Sequence, residues 1–139
     1  MEEICISVND EMLHSVQLVD TRMVSLHCDV KTESIEEGNV KTNIFVSSKG
    51  KIISDNLGES VIQIKIVSEI FEMDITHSGS FKKNEEIEVS EKVFEKFLAT
   101  QGIRLLWSFA RENVYEITCK MLRKPIMLPT LDVMKAIKK

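Results

Sequence analysis

Residues 103–134 read IRLLWSFARENVYEITCKMLRKPIMLPTLDVM, a segment that opens as a helix and closes as an apolar loop. At about 100° per residue, Ile103, Leu106, Trp107, Ala110, Val114, Ile117 and Met121 fall on one helical face. Phe94, Leu98, Leu105 and Phe109 fall on a second face if the helix is continuous from its start near Glu88 to Ser90. Arg104, Ser108 and Arg111 fill one gap between the faces, and Asn113 and Lys120 fill the other. A surface helix of a monomer needs one apolar stripe. Two stripes predict burial on two sides, one against the chain's own core and one against a partner chain. The competing reading is a central helix of a larger monomeric core, for which 139 residues leave little room. The expected oligomer contacts are Ile103, Leu106, Trp107, Ala110, Val114 and Ile117.

The loop follows. Pro125 and Pro129, the chain's two prolines, enclose Ile126, Met127 and Leu128. Each proline removes a backbone donor, so the segment is expected to be extended rather than helical or a central strand. An apolar loop packs on something or lines a surface that apolar segments visit. If it crosses the sheet, Phe71, Met73, Phe81, Trp107, Ile126, Met127, Leu128, Leu131 and Met134 are candidates for an apolar groove. The plainer alternative is that these residues seal the core. Seven methionines favour the groove, because flexible, polarizable side chains accept varied apolar partners. Val133 to Lys139 reads as a short terminal helix with Asp132 or Thr130 as N-cap.

Upstream the period changes to two. Glu3 to Val8 reads as a short strand or an arm, and Asn9 to Asp20 is ambiguous. Val24, Leu26, Cys28 and Val30 alternate with Ser25, His27 and Asp29, the mark of a half-buried strand. A turn is expected over Glu33 to Asn39, then a strand from Val40 to Val46 with a bulge or tight turn over Ser47 to Lys51 at Gly50. Asp55 to Gly58 is a turn into Val61 to Val67, where Ile62, Ile64 and Ile66 oppose Gln63 and Lys65. Phe71, Met73 and Ile75 alternate with Glu72, Asp74 and Thr76 until His77 to Ser80 interrupts the pattern. Four strands joined by short turns favour an antiparallel sheet. Helices after strands give an α+β fold, expected as one domain over residues 1–139. Gly102 inside the helical region marks a kink or a break between two helical segments, since glycine costs about 1 kcal/mol there relative to alanine.

Composition narrows the function. The formal net charge of −4 disfavours a surface that tracks phosphates, and hence nucleic acid. Glu85, Glu86, Glu88, Glu91 and Glu95 read as a solvated face and as favourable charge near a helix N-terminus. The Met-Glu-Glu start lacks the basic leader and apolar core of a signal peptide, and no apolar run reaches the roughly 18 residues of a membrane span. Three scattered cysteines, Cys5, Cys28 and Cys119, argue against a disulfide framework and for a reducing, cytoplasmic setting. His14, His27 and His77 have no metal-ligand spacing, and His27 and Cys28 point to opposite faces of a strand, so no metal or other cofactor is expected. No phosphate loop, nucleophile elbow or carboxylate in an apolar setting is present, so the expectation is a binding protein and not an enzyme.

Two pieces of this chain carry a family likeness: Leu105-Leu106-Trp107-Ser108-Phe109-Ala110-Arg111-Glu112 in the long helix, and Pro125-Ile126-Met127-Leu128-Pro129-Thr130-Leu131-Asp132 after it. Together with the strand pattern and Gly79-Ser80-Phe81, they resemble the SecB family of protein-export chaperones. The resemblance is to a divergent, SecB-like member. Ser108 stands where many relatives have proline, and Cys119 to Lys124 lacks the glycine that commonly ends the long helix. It implies a four-stranded antiparallel sheet, a long helix, an apolar crossover loop and a short C-terminal helix. It also implies a cytoplasmic homotetramer, a dimer of dimers with long helices buried between sheets. Such a tetramer is an ATP-independent holdase for unfolded precursor proteins in Sec-dependent protein transport. Contact with the SecA translocase motor through an acidic patch would fall here near Glu69, Glu72 and Asp74. Two alternatives stand beside this: a dedicated chaperone of one client, such as the antitoxin of a toxin–antitoxin pair, and a non-catalytic adaptor or structural subunit of a heteromeric complex.

Overall fold

The structure, a computed structural model, describes residues 14–31, 41–84, 88–132 and 135. The expectations for Glu3 to Val8, for the turn at Glu33 to Asn39, and for the helix Val133 to Lys139 apart from Lys135 lie outside these residues. So does the groove candidate Met134. Four strands precede two helices: β1 (Val16–Val30), β2 (Thr42–Ile52), β3 (Leu57–Ser68), β4 (Phe71–Lys83), α1 (Glu91–Ala99) and α2 (Gln101–Met121). Every strand pairing is antiparallel, in the order β1-β4-β3-β2. The α+β class expected from the sequence is therefore present. The strands do not form a simple meander, because β1 and β2 are opposite edges of the sheet.

The central strands follow their alternation. Ile62, Ile64 and Ile66 of β3 and Phe71, Met73 and Ile75 of β4 point toward the helices and are buried. Gln63, Lys65, Glu72 and Asp74 face the other side. Glu69 and Ile70 are the two residues of the turn between these strands. The interruption expected at His77 to Ser80 does not occur, and β4 runs unbroken to Lys83 because β1 and β3 pair with it on both sides. Gly79 is there for space: a β-carbon would sit 2.8 Å from Leu106 Cδ2 of the helix above.

Gly50 has the same explanation. No turn occurs at Ser47 to Lys51, and β2 continues through it to Ile52. A β-carbon on Gly50 would lie 2.7 Å from the backbone of Leu98, so α1 rests directly on this strand. In β1 the expected alternation slips. The register with β4 shifts between Leu18 and Asp20 and again between Met23 and Ser25. Each extra residue is a β-bulge, which resets which side chains face inward. Val24 therefore falls in a bulge and is exposed, and Met23 joins Leu26, Cys28 and Val30 on the helix-facing side.

Ser90 caps α1, accepting the Val93 N–H on its hydroxyl at 3.2 Å, and Glu91 adds negative charge in the first turn. The helix does not run continuously into α2. Thr100 leaves helical geometry, with φ −122° and ψ −75°, two residues before Gly102. The break rotates the two segments relative to one another. Phe94 and Leu98 turn into a core with Val16 and Phe81, whereas Leu105 and Phe109 of α2 stay exposed. The second stripe expected of one long helix is thus two separate surfaces. Ser60 joins the halves by donating its hydroxyl to Leu98 O at 2.6 Å. At its far end α2 stops without glycine: Leu122 turns extended while its N–H still bonds Thr118 O at 2.8 Å.

Candidate functional site

Past α2 the chain reverses and runs back along the helix flank. Ile126 N–H donates to Thr118 Oγ1 at 2.8 Å, Arg111 Nε donates to Leu128 O at 3.0 Å, and Trp107 Nε1 donates to Pro129 O at 3.2 Å. The partners step backward through α2 as the loop steps forward. The loop is therefore extended and antiparallel to the helix, as the two prolines require. Thr118 supports it from inside, since its buried hydroxyl donates to Val114 O at 2.8 Å while accepting from the loop. Leu128 is fully buried and plugs the loop onto the core. Met127, its neighbour, is 69% exposed, and Ile126 and Leu131 are half-buried. Beyond the loop, Asp132 Oδ1 accepts the Lys135 N–H at 3.3 Å, the hydrogen bond expected of an N-cap.

The loop takes one flank of α2. Leu106, on the other flank, faces Gly79 of β4 near Leu18 of β1, so Trp107 and Arg111 look away from β1, toward the β2 side of the sheet. On that side β2 leaves Ile44 and Val46 exposed on its helix-facing surface. On the β1 side, Met23 and Leu26 of the strand are exposed, and so are Leu105 and Phe109 of the helix. The helix thus covers the middle of the sheet and leaves an apolar margin along each edge strand.

These placements revise the residue assignments. Ile103, Leu106, Trp107, Ala110 and Val114, expected at an oligomer interface, are buried against the chain's own sheet, with Ile117 half-buried beside them. A side chain already closed over by Ile62, Ile64 and Met73 has no surface left for another chain. Leu105 and Phe109, with Tyr115 and Met121 further along, are the large apolar residues of α2 that face outward. Of the groove candidates, Phe71, Met73, Trp107 and Leu128 are core residues, and Phe81 packs in the separate cluster under α1. Met127 remains at the surface, and Ile126 and Leu131 are half-buried against the edge of the core. Ile44 and Val46 were not recognised from the sequence as surface residues, although their alternation in β2 was plain. What was missing was that the helices leave this middle stretch of the edge strand uncovered.

Glu72 and Asp74 lie together on the sheet face turned away from the helices, with Glu69 in the adjoining turn. Lys31 Nζ approaches Glu72 at 3.9 Å, and Gln63 Nε2 donates to Asp74 at 2.9 Å. Asp29 sits directly across from Glu72 in the register and extends the acidic area. No group of His, Cys, Asp and Glu among the described residues is placed to hold a metal ion. Burial pushes the pKa of the half-buried Cys28 thiol up, which favours its protonated form. No described helix is long and apolar enough to cross a membrane.

A four-stranded antiparallel sheet, a broken helix over its middle and an apolar loop returning along that helix define an α+β fold of the SecB type. The likeness is to the SecB-like chaperone Rv1957 of Mycobacterium tuberculosis, solved in complex with a ChAD peptide from the antitoxin Rv1956 HigA1. The two share a TM-score of 0.73 and 16% sequence identity over 84% of this chain and 91% of that one. A protein of unknown function from Streptococcus agalactiae aligns at a TM-score of 0.47 and 22% identity, over 82% of this chain and 96% of that one. No family profile and no curated protein matches the sequence.

Proposed function

We propose that the protein is an ATP-independent chaperone that holds unfolded polypeptide on the apolar margins of its sheet. The observation that carries this reading is Met127, 69% exposed on a loop whose course is fixed by three hydrogen bonds to α2. A rigid loop presenting a large flexible apolar side chain offers purchase to many sequences and demands none in particular. Ile44 and Val46 on the same side widen that surface. The edge of β2, eleven residues without a register shift and unpaired among the described residues, supplies backbone donors and acceptors for an extended segment. Many weak contacts across several copies of the chain then add up to useful avidity. Self-association is assigned to Leu105 and Phe109 with Met23 and Leu26, the margin on the β1 side, in an oligomer for which the tetramer is the expected form.

The SecB-type fold supports this reading, and two client ranges follow from it. One is general capture of precursors for Sec-dependent export, with Glu69, Glu72, Asp74 and Asp29 as the surface offered to the SecA motor. The other is service to one dedicated client. The antitoxin peptide bound by the mycobacterial chaperone of this fold favours it equally. The test is client capture: a slowly refolding, unrelated protein is diluted from denaturant with and without this chain, and light scattering and native mass are recorded together. Suppressed aggregation with a complex of defined mass supports general capture. Unchanged aggregation beside well-folded protein removes it and leaves the dedicated client or an adaptor role, which co-purification separates.

A further inference from the structure

His77 is 2% exposed on the helix-facing side of β4. Its Nε2 lies 3.2 Å from Asn113 Nδ2 of α2. An amide nitrogen only donates, so Nε2 is the acceptor and the ring proton of the neutral form sits on Nδ1. That Nδ1–H meets no acceptor among the described residues. Thr21 Oγ1 of β1 is also buried without a hydrogen-bond partner. The register sets Met23 opposite His77 and Thr21 opposite Gly79, so Thr21 and His77 are diagonal neighbours on one face. A neutral polar seam thus lies between β1, β4 and α2.

Among the described residues, nothing in that seam can balance a charge. Across from His77 stand Met23 on β1 and Ile62 on β3, and Ile75 and Gly79 flank it along β4. Arg22 and Asp74 lie on the opposite face of the sheet, and Glu112, Glu116 and Lys120 of α2 are exposed. We propose that His77 is a proton-sensitive latch that holds α2 to β4 while neutral and releases it on taking up a proton. Protonation turns Nε2 into a donor facing the donor of Asn113, and among the described residues no buried carboxylate stands beside the cation it leaves.

Burial lowers the His77 pKa below its ordinary 6.5. Above about pH 6.5 the ring is neutral whether the seam is closed or open, so the latch holds fully. As pH falls below that value, only the open form takes up the proton. The open population then grows by up to about tenfold per pH unit until pH passes the lowered value of the closed form. This inference stands apart from the chaperone reading, because it concerns how the helix is held.

The test follows the imidazole resonances of the intact protein by NMR between about pH 7.5 and pH 5, together with amide exchange over Leu106 to Thr118. The expected result is that His77 titrates below the ordinary imidazole value, and that exchange of α2, corrected for its intrinsic pH dependence, accelerates in the same interval. His77→Gln, which keeps an acceptor for Asn113 and cannot be charged at these pH values, is expected to abolish the acceleration. His27→Gln, on the opposite face, is expected to keep it. Wild-type exchange that does not change across the interval overturns the latch. Should His77→Gln fail to fold, a His77 titration in wild type at the ordinary value, uncoupled from exchange, overturns it equally.

Discussion

Met127 and Leu128 are neighbours with opposite roles. Leu128 is a fully buried plug, and Met127 points away from everything the plug touches. Substitution therefore separates folding from binding at adjacent positions. Met127→Glu is expected to change the unfolding free energy by no more than the roughly ±0.5 kcal/mol of an ordinary surface substitution, read in a denaturant titration. It is expected to weaken suppression of aggregation in the capture assay; equal suppression would take the loop out of the binding surface. Trp107 lies between the two roles, its ring in the core and its Nε1 on Pro129 O. Trp107→Phe keeps an aromatic ring but leaves that carbonyl without its donor. A loss of about 1–3 kcal/mol is expected in denaturant titrations, with faster amide exchange at Ile126.

Among the elements, the break at Thr100 settles how the helical region is packed. It places Gly102 against Ser60 Oγ, with which a β-carbon would collide, and close to Phe81, on which it would press tightly. Helix propensity favours Gly102→Ala by about 1 kcal/mol. The collision reverses the sign, and a net destabilisation of about 1–3 kcal/mol is expected as a lowered melting midpoint. This is also where reading by sequence reached its limit. The alternation in β3 and β4 was legible because both are inner strands with an unbroken register. In β1 the same reading slipped at Val24, since a bulge leaves no mark in a run of mixed residues. Phe94 and Leu98 were placed in phase with Leu105 and Phe109 because one non-helical residue turns the helix axis without altering the spacing. The proline-bounded loop was legible, but which of its side chains faced inward was not, because that depends on Trp107, Arg111 and Thr118 gripping its backbone.

For the molecule as a whole, the two sides of α2 predict different fates for two charge substitutions one residue apart. Leu106→Asp buries a charge in the core, at a cost of several kcal/mol, and is expected to abolish the far-ultraviolet helix signal. Leu105→Glu combined with Phe109→Glu touches only exposed positions. It is expected to preserve the fold while lowering the native mass; a mass equal to that of the wild type would move the self-association surface elsewhere. The loop carries a further consequence for how such a protein changes over time. The helix grips it by Pro129 O, Leu128 O and Ile126 N, which are all main-chain atoms, and by one buried leucine. Its path is thus nearly independent of the residue displayed at position 127, and depends on positions 126 and 131 only through their half-buried packing on the core. Mutational drift at position 127 can retune what the surface prefers while the scaffold beneath stays as it is, so descendants with one architecture are free to diverge in taste.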